Sequence, residues 1–87
     1  MSDFAQLAKQ AFENYHGMPI EPGVWGLTDA FQHIVEFLNR HESVSEMPGL
    51  TEALQAMSDN EWDSLRERYP EHRRMIDSLR RHSQRAP

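Results

Sequence analysis

The sequence predicts an all-α protein, a small bundle of four to five short helices. Apolar residues recur at three- and four-residue spacings along most of the chain. No segment alternates apolar and polar residues for long enough to make a strand, and prolines and glycines cluster between the periodic segments. The length of 87 residues fits a single helical domain spanning 1–87, with residues 1–4 and 83–87 expected to fray. No internal repeat is visible.

The first helix carries Phe4, Leu7, Ala8, Ala11, Phe12 and Tyr15 on one face. Ser2 or Asp3 is suited to cap its start, and Gly17 to stop it. The following linker, MPIEPG, holds two prolines and a glycine that a helix interior does not tolerate. A second helix is expected from Val24 or Leu27 to Asn39. Its stripe of Val24, Leu27, Phe31, Ile34, Val35 and Leu38, widened by Ala30 and Phe37, covers an arc of about 160°, against the ~100° of an ordinary core-facing helix. Such a helix touches neighbours on two sides. Trp25 lies away from this stripe and reads either as a plug folding back on the first helix or as an aromatic anchor for a partner.

HESVSEMPG reads as a loop. Leu50, Ala53, Leu54 and Met57 then form a short third helix. Ser58 followed by Glu61 is a capping box, and Met57 and Trp62 have the spacing of a hydrophobic staple, so a sharp turn is expected at Met57–Ser58 before a fourth helix ending near Arg68. Pro70 disfavours a helical Tyr69 and suits the first turn of a fifth helix, residues 70–82, whose narrow stripe is Met75, Ile76 and Leu79.

Charge is distributed unevenly. Residues 1–63 carry eleven acids against the two bases Lys9 and Arg40, whereas residues 64–87 carry three acids against seven arginines, within a net charge of −5. On the fifth helix Arg73, Arg74, Arg80 and Arg81 lie three or four positions from Asp77, a spacing that predicts four guanidiniums around one carboxylate, on a face that reads either as a solvated helix surface or as a charged docking face. Arginine outnumbers lysine eight to one, a bias expected of a GC-rich bacterial or phage genome.

Several classes of function lack their signatures. There is no cysteine, hence neither a disulfide nor a thiolate metal site, and a secreted domain this small normally carries cysteine pairs. The N-terminal residues lack the pattern of a signal peptide, and no apolar run approaches the roughly 20 residues of a membrane span. A cytoplasmic protein without membrane association is expected. The five histidines, His16, His33, His41, His72 and His82, are never three to five apart, and Glu13–His16 is a lone Glu-x-x-His unit, so no metal is expected. With no nucleophile elbow and no phosphate-cradling glycine loop, neither an enzyme nor a cofactor is expected.

These observations predict a small regulator that binds and occludes another protein. It would act as an antiactivator or inhibitor of a transcription regulator or other host protein, and pairing as a homodimer is a variant of the same idea. The expected interface is the wide apolar face, Phe31, Ile34, Val35, Phe37 and Leu38, together with Trp25. Complementary charge on the arginine helix guides encounter and orientation. The alternative is a helix-turn-helix-like nucleic-acid module with the arginine-rich helix as reader. Asp77 at the centre of the basic face and the acidic remainder, which phosphate would repel, weigh against it.

Overall fold

The computed structural model describes residues 3–20, 23–41 and 43–85. Five α-helices follow one another, α1 (Phe4–His16), α2 (Leu27–Leu38), α3 (Leu50–Gln55), α4 (Asp59–Arg68) and α5 (Arg73–Arg85). Two 3₁₀ turns, Val44–Glu46 and Pro70–His72, are inserted before α3 and α5, and the described residues contain no strand. The all-α bundle expected from the periodicity is the observed fold. The radius of gyration, 12.0 Å, matches the ~12 Å of a single packed domain of this length.

Local chemistry sets the helix ends. Gly17 closes α1 in the left-handed conformation (φ 72°), its N–H bonding to the Glu13 carbonyl as in a C-terminal cap. Asp3 gives α1 no side-chain cap; only its carbonyl is used, accepting from the Leu7 N–H at 2.9 Å. Ser2 lies outside the described residues. At α2 the first helical residue is Leu27, so Val24 falls in the preceding extended segment and is 79% exposed rather than part of the apolar stripe. The boundary is set by Asp29, whose Oδ2 accepts from the Gly26 N–H at 2.9 Å and satisfies one of the donors a helix start leaves free.

The Ser58–Glu61 capping box forms as expected: the Glu61 N–H donates to Ser58 Oγ at 3.3 Å and the Ser58 N–H to Glu61 Oε1 at 2.9 Å. Met57 and Trp62, on either side of this turn, are both buried. Ser43 and Glu46 make a second box of the same kind inside the segment expected to be plain loop. That box turns Val44 and Met47 inward, at 2% and 1% exposure. The last helix opens as a 3₁₀ turn at Pro70 before the α-helical register is established at Arg73. It runs on to Arg85, beyond the point at which fraying was expected. Ser83 Oγ donates to the Arg80 carbonyl, and Gln55 reaches the Ser83 carbonyl from α3. Phe4, expected to fray, is fully buried.

The hub of the core is the six-residue α3, packed against α1 on one side and α5 on the other. Leu50, Ala53 and Leu54 on α3 are sealed. Gly49, at φ 90°, lets the chain enter α3 close to α1, where a Cβ at this position would lie 3.5 Å from the Ala11 Cβ. Helix α2 lies against α1 and the first 3₁₀ turn, and does not pack closely on α5.

Candidate protein-docking face

The residues singled out on α2 divide into two groups. Phe31, Ile34 and Phe37 are 1%, 0% and 6% exposed, so they belong to the core of the monomer and present no docking surface, contrary to expectation. The reason is that α2 is covered from two directions. Phe12 and Tyr15 of α1 meet the Phe37 ring edge-on at centroid distances of 6.1 and 5.6 Å, while the Tyr69 ring lies 4.9 Å from Phe31. Val35 and Leu38, by contrast, are half-buried. Trp25 is also half-buried, folded back so that its ring stacks on His33 at 4.1 Å and approaches Phe12 at 5.8 Å. Lys9 Nζ donates to the Gly23 carbonyl and the Ile20 N–H donates to Glu13, which together hold this linker against α1.

The arginines divide in a similar way. Asp77 is not ringed by its four neighbours in sequence. Its Oδ1 lies 3.2 Å from Arg66 Nε of α4, an ion pair whose N–H is not directed at the oxygen and which is therefore Coulombic rather than a hydrogen bond. Arg80 also turns to α4, donating to Asp59 Oδ1 at 2.9 Å and lying 3.5 Å from Asp63 Oδ1. These contacts tie α4 to α5 and remove Arg80 from any docking face. Arg73, Arg74 and Arg81 are exposed and have no ion pair among the described residues.

At about 100° per residue, positions 74, 78, 81 and 85 fall within an arc of about 60°. Arg74, Ser78, Arg81 and Arg85 thus form a straight exposed ridge about 16 Å long on the flank of α5. Arg73 lies off this ridge. Arg85, outside the four arginines expected to form the docking face, completes it.

Because α2 and α5 are not close-packed, an open seam runs between them. Two clefts follow one another along it. One, of about 240 Å³, is floored by Leu38, Val44, Met75 and Leu79, with Ser43, Ser78 and His82 at its edges. The other, of about 220 Å³, lies one turn earlier on α2 and faces Tyr69 and the 3₁₀ turn that precedes α5, beside Val35 and His72, and carries Glu36 and Glu71. Ser78 belongs to both the first cleft and the arginine ridge, so the ridge adjoins the cleft at this residue.

The histidines mark seams between elements. His33 Nδ1 lies 2.8 Å from the Asp29 carbonyl, which can only accept, so that nitrogen carries the proton. His41 stacks on Phe37 at 4.2 Å, and His82 Nε2 meets Thr51 Oγ1 at 3.0 Å. Among the described residues no three His, Asp or Glu side chains converge as metal ligands would, and no helix is long and apolar enough to cross a membrane. Comparison of the chain with family models, with characterised proteins and with solved structures returned no match.

Proposed function

We propose that this chain is a small cytoplasmic regulator that docks on another protein and covers a surface its partner needs, acting as an antiactivator or inhibitor of a transcription regulator or other host protein. The observation supporting this reading is the ridge of Arg74, Arg81 and Arg85. In a chain of net charge −5, these three guanidiniums remain exposed while their neighbours Arg66 and Arg80 are engaged by carboxylates of the α4–α5 pair. Unpaired arginine on a rigid helix favours a partner surface bearing carboxylates, which supply bidentate acceptors. Occlusion requires no reaction, in keeping with a sequence that has no catalytic motif.

The same ridge supports the alternative of nucleic-acid binding, and α4 argues against it. In a helix-turn-helix arrangement with α5 as reader, α4 would cross the phosphate backbone. Its exposed Asp59, Asp63 and Glu67 would then meet like charge. The test is capture from cells of the native host, with the wild-type chain and with the R74E/R81E/R85E variant as baits, alongside a low-salt gel shift. The expected result is a protein retained by the wild type and lost by the variant. Sub-micromolar binding to DNA or RNA that the same variant abolishes would replace this reading with the alternative.

A further inference from the structure

The α2–α5 seam combines two features. Its floor is apolar and incompletely covered: Leu38 and Met75 are half-buried although both pack against the core. Its α5 edge is basic and unpaired, since Arg74 and Arg81 lie four residues before and three after Ser78, at the lip of the cleft. A free, hydrated guanidinium beside exposed apolar surface is matched by a ligand that brings apolar side chains to the floor and carboxylates to the rim. The seam passes from Val35, beside His72 of the 3₁₀ turn, to Leu38, beside Met75 and Leu79 of α5. In helix-in-groove recognition apolar residues at i, i+3 or i+4, and i+7 of a guest helix enter such a seam.

We infer that the α2–α5 groove receives an amphipathic acidic helix of a partner protein, its apolar stripe over Leu38 and Met75 and its carboxylates along Arg74 and Arg81. This rests on the protein-docking reading above and assigns the chemistry of the partner. Charge also orients the guest. The end of the seam beside Val35 carries Glu36 and Glu71, so the acidic end of the incoming helix lies toward Ser78 and His82. A segment that is disordered when free and folds on binding satisfies the same geometry.

The test uses the full chain and three fluorescent synthetic peptides. The first is a helix-forming peptide with leucines on one face and glutamates on one flank. The second has the same composition in an order that leaves no apolar face. The third carries lysine in place of every glutamate. Anisotropy titrations are expected to show the facial acidic peptide binding at least tenfold more tightly than either control. Leu38→Lys should weaken it tenfold or more. Because Leu38 also touches the core, Ser78→Tyr is the companion variant: an exposed position whose new ring fills the cleft without altering the interior, with the same expected loss and an unchanged helical circular dichroism spectrum.

Equal affinity for the facial and scrambled acidic peptides, both abolished by R74E/R81E, would overturn the groove while leaving the arginine ridge as a docking surface. Binding insensitive to R74E/R81E would overturn the groove and the docking reading together. A concentration-dependent dimer, broken by Ser78→Tyr in sedimentation and excluding the peptide, would assign the groove to a second copy and overturn the inference. Tighter binding of duplex DNA than of the facial peptide would also overturn it.

Discussion

At the level of single residues, exposure decides which side chains stabilise the fold and which remain free to bind. Ile34 is fully buried on α2, and Ile34→Ala is expected to cost about 2–5 kcal/mol, read as a lower midpoint in urea unfolding. Phe37→Glu distinguishes the expectation from the structure. On an exposed edge it would leave helicity intact. At 6% exposure, with the rings of Phe12, Tyr15 and His41 around it, it buries a carboxylate in the place of a packed aromatic ring. The expected result is loss of the cooperative thermal transition. Asp77 illustrates the same limit from the polar side. Spacing along one helix predicts four arginines around it, but the side chains that engage it and Arg80 come from α4 and depend on how two helices pack.

At the level of elements, short-range chemistry was readable and its consequences are measurable. The Ser58–Glu61 box was evident from the sequence because every partner lies within four residues. Ser58→Ala is expected to destabilise the protein by about 1 kcal/mol in chemical denaturation. The Ser43–Glu46 box obeys the same pattern, but only a 3₁₀ turn follows it, so no apolar periodicity marks it in the sequence. Gly49 carries a conformational demand that no spacing rule exposes. At φ 90°, Gly49→Ala is expected to cost about 1–2 kcal/mol through backbone strain, because the added methyl would meet Ala11 only at an ordinary 3.5 Å contact. The ion pairs joining α4 to α5 contribute less. With Asp59 and Asp63 largely exposed, a double-mutant cycle on Arg80 and Asp63 should give under about 1 kcal/mol.

At the level of the whole molecule, a −5 chain with an acidic body and a free basic ridge separates folding from docking by their response to salt. The core is apolar and has no buried charged residue among the described residues, so screening leaves it nearly untouched. Raising sodium chloride from about 0.05 M to about 0.5 M is expected to weaken binding of the acidic facial peptide more than tenfold, while the urea midpoint shifts little. Affinity that is flat across this range would show that the arginines contribute little to docking.

The sequence by itself determined the helical class, the positions of the breaks at Gly17, Ser58 and Pro70, and the charge asymmetry, because periodicity, capping and composition are local or additive properties. The apolar stripe of α2 was legible too, apart from Val24, which lies before the helix. Only the tertiary structure decided what that stripe is for. Phe31, Ile34 and Phe37 vanish beneath α1, Tyr69 and a 3₁₀ turn, while Leu27, Val35 and Leu38 remain partly open, the last beside the helix whose arginine ridge includes Arg85 and excludes Arg80. The physical reason is that a stripe records how much surface avoids water, whereas the neighbours that cover it arrive from distant segments whose approach depends on packing the whole chain at once.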